Sequence, residues 1–315
     1  MKNKLTKTPV VILLAMICCF LWGSAFPCIK IGYQLFHISS GETASQILFA
    51  GTRFALAGLM VIVFFSLKTK KLIKPSNPGK IVILSLFQTV LQYVPFYIGL
   101  AHTTGVKSSI INGSGVFITI LVACLIFRQE TLTARKIVGS MLGFAGVVII
   151  NLTGNFMDFG MSFLGEGFII ISTISSAFSS AFIKKFSKSA DVVMLSGYQF
   201  FFGGLTMVII GICFGGKLYA ENWKSILLLL YMGFISAAAY TLWSILLKYN
   251  KVSRISAYKF MNPVFGVVLS FAFLHETSQM RVQIIGALIL VCIGIYIVNA
   301  GDMKYNKKRI RKSEN

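Results

Sequence analysis

The sequence predicts an all-α polytopic membrane protein: ten transmembrane helices forming two inverted five-helix repeats, with the N- and C-termini both cytoplasmic. Three observations predict it. The 315 residues are 56% hydrophobic and 12% charged, with a mean hydropathy of +0.80, far more apolar than a soluble domain of ordinary size. The stretch Gly51-Thr-Arg-Phe-Ala-Leu-Ala-Gly-Leu59 recurs 146 residues later as Gly197-Tyr-Gln-Phe-Phe-Phe-Gly-Gly-Leu205, and a long-period repeat in such a chain reports homologous bundles of membrane helices. Finally, 30 Lys and Arg against 9 acids fall mainly in alternate connections, as the positive-inside bias requires.

Apolar runs long enough to cross a hydrocarbon layer of roughly 30 Å fall at approximately 9–31, 46–67, 81–101, 108–127, 135–152, 167–183, 193–214, 225–247, 256–274 and 283–299. Polar alternation with a period of two is absent, so helices rather than a barrel must satisfy the dry backbone. With the N-terminus inside, 23 of the basic residues lie in cytoplasmic segments, including the tail from Lys304 to Lys312. Lys30, Lys107, Lys217, Lys224 and Arg281 fall on the other side, and Arg53 and Lys259 fall within spans. The net charge of +21 is therefore a matter of topology and not a nucleic-acid footprint. Cys18, Cys19, Cys28, Cys124, Cys213 and Cys292 all lie in apolar runs, as packing residues without a disulfide or metal framework. The first run starts like a signal peptide but is too long for one and should remain as an anchor. The basic tail suits anionic lipid headgroups.

The repeat continues beyond its opening segment. The third and eighth spans align at an offset of 147 through Tyr93/Tyr240, Ile98/Ile245, Leu100/Leu247 and Ser109/Ser256, with Lys107 matching Arg254. Glu130-Thr131 after the fourth span matches Glu276-Thr277 after the ninth. Five spans per copy is an odd number, so the second copy enters from the opposite face. The expected organisation is a first repeat over 1–152, an extracytoplasmic linker over 153–166, an inverted second repeat over 167–300 and a basic cytoplasmic tail over 301–315.

Trp22-Gly-Ser-Ala-Phe-Pro27 in the first span resembles the opening signature of drug/metabolite transporters of the EamA type. Arg53-Phe54, Gly99-Leu100, Glu130, Pro263 and Glu276 match the same pattern in order, over nearly the whole chain. Departures are the missing proline in the fourth span and Gln199 where the first copy has Arg53. The resemblance implies a ten-helix, inverted-repeat carrier for metabolites or drugs, commonly an exporter.

Charge inside hydrocarbon costs about 2.5 to 3.5 kcal/mol on insertion scales, which makes the few intramembrane ionisable groups informative. None of the nine acids sits at mid-span, which argues against coupling through a buried carboxylate. A facilitator, an exchanger, or coupling through another group such as His102 remains open. Lys259, one turn inside the ninth span, either snorkels to water or meets a substrate carboxylate or phosphate. Arg53, two turns inside the second span, either bridges helix ends or faces the solute. Two cations and no anion tilt the interior toward anionic or zwitterionic solutes. Trp22, Gln92, Tyr93, Tyr97, Asn112, Tyr240, Trp243, Tyr258 and Asn262 complete the pathway candidates, Tyr93 and Tyr240 foremost because they are related by the repeat. Pro263 removes a backbone donor and is expected to free a carbonyl one turn earlier, at Tyr258, so it is a hinge candidate together with Pro27 and Pro95. Ala57-Gly58, Gly203-Gly204, Gly139-Gly143 and Gly286 offer close helix packing, and Glu130 and Glu276 are helix-end acids of structural purpose.

No nucleophile with its base, metal cluster, P-loop, HExxH or GxSxG pattern is present, which argues against an enzyme or a direct use of ATP. The expected partners are a small-molecule substrate and membrane lipid, with no nucleic acid, no metal and no cofactor; monomer and homodimer are not distinguished. The competing reading is a flippase for a lipid-linked substrate, although such chains tend to be shorter and single-copy.

Overall fold

The computed structural model describes residues 4–72, 74–103, 105–151, 162–274 and 285–300. Among them the chain is helical throughout its ordered elements, and the helices fall on the apolar runs of the sequence. They are α1 (Thr8–Leu35), α2 (Thr43–Thr69), α3 (Pro78–Ala101), α4 (105–126), α5 (Ala134–Asn151), α6 (Phe163–Phe186), α7 (Val192–Cys213), α8 (Trp223–Tyr249), α9 (252–274) and α10 (Ile285–Ala300). Seven of these (α1 to α4 and α6 to α8) are long and apolar enough to cross a membrane. Large apolar side chains such as Leu13, Phe64, Leu67, Met141 and Ile209 stand exposed on the outer surface, where a bilayer is the compatible solvent.

Local chemistry sets the helix ends. Asp191 accepts hydrogen bonds from the amides of Val193 and Met194 at 2.9 Å and starts α7, and Asn222 does the same for Lys224 and Ser225 to start α8. Pro9 and Pro78 occupy first turns, where the missing donor is harmless. The helix expected from residue 167 begins earlier: Ser162 caps a π-helical turn over Phe163–Gly167 that leads into α6, so the linker expected over 153–166 loses its last residues to the helix. Its residues 153–161, the tail 301–315 and Glu276 lie outside the described residues.

The two copies interlock. α1 packs along α8 and α9, and its counterpart α6 packs along α3 and α4, so each copy's first helix lies against the third and fourth helices of the other. The repeated glycine motif forms the tightest crossing. Any Cβ at Gly58 would lie 2.2 Å from the Phe201 amide and 2.6 Å from the Gly197 carbonyl, and one at Gly204 would lie 2.3 Å from the Ala55 amide and 2.8 Å from the Gly51 carbonyl. Partners descend along α7 as residues ascend along α2, so the two helices run antiparallel, with the first glycine of each motif against the second of the other. α5 and α10 cross in the same sense, Gly139 against Gly294 and Gly146 against Ala287. Gly286, expected to pack closely, meets nothing within 4 Å, and Gly294 fills that role.

Candidate functional site

Rings from five helices meet at mid-bundle. Trp22 of α1 stands edge-on to Tyr240 and Trp243 of α8, with centroids 5.0 and 4.9 Å away. Tyr93 of α3 meets Tyr240 hydroxyl to hydroxyl, which puts the two repeat-related tyrosines face to face. Phe54 of α2 lies 4.4 Å from Tyr93 and stacks on Phe200 of α7 at 5.5 Å, and Phe200 reaches Tyr240 at 4.8 Å. Phe54 and Phe200 were not singled out as pathway residues from the sequence, although their identity within the opening repeat was the available signal.

Arg53 enters this box as a buried cation, 5% exposed. Its guanidinium carbon lies 4.4 Å from the Phe54 centroid and 5.9 Å from that of Tyr93, close enough for the ring faces to attract it. Its Nε has no hydrogen-bond partner, and the ion pairs among the described residues (His37–Glu221, Lys107–Glu166 and Lys136–Glu130) leave it out. The polar side chains within its electrostatic reach are Cys28 and Tyr33 of α1 with Tyr93 and Tyr240. The equivalent position in the second copy behaves differently. Gln199 is fully buried, and its amide oxygen accepts from Thr89 at 2.8 Å while its carbonyl accepts from Ser85 at 3.1 Å. Both donors sit on a π-helical stretch of α3, Ser85–Val90, a widened turn that the sequence pattern does not announce.

Lys259 of α9 extends its ammonium toward Trp243, 5.8 Å from the ring centroid, with Cys19 of α1 as its electrostatic neighbour and no carboxylate paired to it among the described residues. The indole N–H groups of Trp22 and Trp243 and the Asn262 Oδ1 are buried without hydrogen-bond partners. The lining thus offers two cations, two unpaired indole donors and one unpaired amide oxygen. Tyr97 is buried in the packing beside Phe54 and Phe200, and Gln92 turns its carbonyl to the Ser172 hydroxyl while its amide approaches Tyr240. Tyr258 is buried in the main core, and its carbonyl accepts from the Cys19 thiol at 3.2 Å. Asn112 is exposed and accepts from Thr173 of α6 at 3.2 Å.

The proline positions differ in effect. Pro27 is buried within a continuous α1. Pro95 lies five residues past the π-helical stretch of α3. Ahead of Pro263, residues Ala257–Phe260 wind as a 3-10 turn between two α-helical segments. The donor that Pro263 lacks would have served the Lys259 carbonyl, one residue beyond the Tyr258 carbonyl expected from the sequence.

The end of the bundle carrying the basic loops is tied shut by polar contacts. Glu130, in the α4–α5 turn, accepts from the Ser253 amide at 3.0 Å, from the Ser253 hydroxyl and from Lys136 at 2.8 Å. It thereby caps the start of α9 from the other copy. Burial pushes its carboxyl up, but the hydrogen bonds from Lys136 and Ser253 outweigh this and hold it below the usual carboxylate range. Lys184 donates to the carbonyls of Leu247, Lys248 and Asn250 at the end of α8 at 2.9, 3.1 and 2.6 Å. Arg254 reaches Thr6, Thr8 and Asn250 at 3.1 to 3.3 Å. At the opposite end a cavity of about 640 Å³ opens between α2, α3 and α7, with Glu42 and Lys217 in its lining. Its walls Ile47, Val94, Ile98 and Ile210 pack on the Phe54–Tyr97–Phe200 cluster, so it stands above the ring box. His102, the alternative titrating group, hydrogen-bonds its own helix through the Ile98 carbonyl at 2.8 Å.

Fold and site together define a multi-pass membrane transporter. The chain belongs to the EamA-like transporter family, whose model matches twice, over residues 9–152 and 163–300. It is 26% identical to the uncharacterized transporter YvbV of Bacillus subtilis over 94% of this chain and 93% of that one. Identity is 24% to a WAT1-related chloroplastic protein of Arabidopsis thaliana, covering 89% and 67%, and 26% to the uncharacterized inner membrane transporter YedA of Escherichia coli, covering 89% and 90%. A solved crystal structure shares the fold, with a TM-score of 0.75 over 95% of this chain and 99% of that one at 14% identity. The family is one of transporters and not of enzymes.

Proposed function

We propose that this chain is a secondary transporter of the cytoplasmic membrane that moves a small anionic or zwitterionic metabolite, amino-acid-like or drug-like, by alternating access, with export as its direction. All ten helices span, in two inverted five-helix repeats with both termini cytoplasmic. The antiparallel crossing of the glycine motifs and the reciprocal packing of α1 and α6 support the inversion, because a two-fold axis in the membrane plane generates both. The solute passes through the ring box between the halves, Arg53 binding its anionic group and Trp22, Tyr93 and Tyr240 its body. Lys259, Trp243 and Asn262 continue the path toward the basic end, and the 3-10 turn before Pro263 is the hinge.

The single observation that carries this reading is Arg53, a buried guanidinium walled by rings and without a carboxylate partner among the described residues. A charge so placed is costly unless a ligand completes it. The test is flux into liposomes holding the purified protein, across a panel of amino acids, organic acids, nucleotides and cationic drugs. Anionic or zwitterionic solutes should cross in a protein-dependent way, with Arg53→Gln lowering flux at least about tenfold, as loss of a charge-assisted contact does. Flux of cationic drugs alone, or none across the panel, would sink the reading.

A further inference from the structure

Arg53 and Lys259 lie on the proposed path in different copies, one on α2 and one on α9, and both face neutral groups: rings, thiols and indole N–H donors. The buried acids among the described residues are committed elsewhere. Glu130 holds Lys136 and Ser253, and Glu166 holds Thr103 at 2.5 Å with Lys107 at 3.6 Å. Glu42 and Glu221 lie at the end that carries the cavity. Among the described residues no acid is paired with either cation.

Alternating access passes through a form closed at both ends. In that form water is withdrawn from the path, and charges on its wall lose the solvation that an open cavity provides. A carrier holding a monovalent anion crosses this point with one of its two cations offset. An empty one crosses it with two uncompensated cations. We infer that the protein is an anion exchanger: the loaded form reorients readily, the empty form does not, and each turnover swaps one anion for another across the membrane. The neutral Gln199 at the position equivalent to Arg53 shows that α7 accommodates an uncharged residue there, so the positive charge of α2 is not a packing requirement of the motif.

This inference rests on the anion path proposed above, and the experiment separates the two. Liposomes containing the full chain are either loaded with unlabelled benzenesulfonate or left without it, and uptake of labelled benzenesulfonate is followed. This anion carries a flat ring suited to the box and stays charged at any working pH. Potassium and valinomycin hold the membrane potential at zero, so that charge build-up does not limit net uptake. Exchange predicts uptake about tenfold or more faster into loaded liposomes than into empty ones. Arg53→Gln with Lys259→Gln should bring the ratio toward one by raising the relative rate of the empty carrier, and Arg53→Lys should preserve it. Should the double variant fail to insert, Arg53→Gln alone gives the same reading with a smaller drop. Equal uptake into loaded and empty liposomes would overturn exchange and leave transport standing. A neutralised variant that kept the full ratio would overturn it as well. Uptake into neither population would remove the anion path and the exchange built on it.

Discussion

Replacing Gly58 by alanine puts one methyl group into the closest contact between the two copies. Its Cβ would lie 2.2 Å from the Phe201 amide nitrogen, 2.7 Å from the Phe201 Cα and 2.6 Å from the Gly197 carbonyl oxygen, all of them backbone atoms that cannot rotate aside. Restoring ordinary contact near 3.4 Å means opening the α2–α7 crossing by about 1.2 Å. Overpacking of this kind costs about 1–3 kcal/mol. Here it acts at the junction that places Arg53 and Phe54 against Tyr93 and Phe200, so transport should fall along with stability. Gly286→Ala is the matched control, another helical glycine but with nothing within 4 Å of the added carbon. In detergent, a thermal-unfolding scan should show the Gly58→Ala midpoint several degrees below wild type and the Gly286→Ala midpoint at or above it. Equal midpoints for the two variants would refute the tight crossing.

Other outcomes follow from the same contacts. Glu130→Ala leaves Lys136, whose side chain is 9% exposed, without its carboxylate, and should destabilise by about 3–5 kcal/mol, read by chemical or thermal unfolding. Because the Glu130 carboxyl sits below its usual range in the folded protein, its contribution is present above about pH 4 and disappears as pH falls through the lowered value; Glu130→Gln should flatten that acid limb of a stability–pH profile. Lys259→Ala should slow anionic solutes specifically in liposome flux, whereas unchanged kinetics would mark a snorkelling side chain. Thr89→Val removes the donor to the Gln199 amide oxygen and should cost about 1–3 kcal/mol of stability through the unsatisfied group, with little change in the anion preference that Arg53 sets.

Much of the helical layout was legible because hydrocarbon imposes it. A run of apolar residues is helix wherever the backbone must satisfy itself, and helix ends moved by only a few residues from the predicted runs, as when α6 began at Phe163. The tyrosine pair was also legible, since Tyr93 and Tyr240 share a repeat position and a two-fold relation brings such positions together. What escaped were features made by tertiary contact. The π-helical stretch of α3 depends on Ser85 and Thr89 finding Gln199 across the bundle, and no local pattern reports that. The Glu130 link between Lys136 and Ser253 of the other copy is likewise invisible to any local pattern. The hydrogen bond from Thr173 to Asn112 is another such contact, visible only once α4 and α6 are packed.

Fluorescence from the ring box tests the proposed path most directly. The chain has three tryptophans; Trp22 and Trp243 stand in the box and Trp223 is exposed at the start of α8, so Trp223→Phe leaves a protein whose tryptophan emission comes from the site alone. Titrating a solute that the liposome assay shows to be carried should change that emission saturably, and adding Arg53→Gln should weaken or abolish the response. A carried solute that leaves the emission of Trp22 and Trp243 untouched would place the path elsewhere in the bundle.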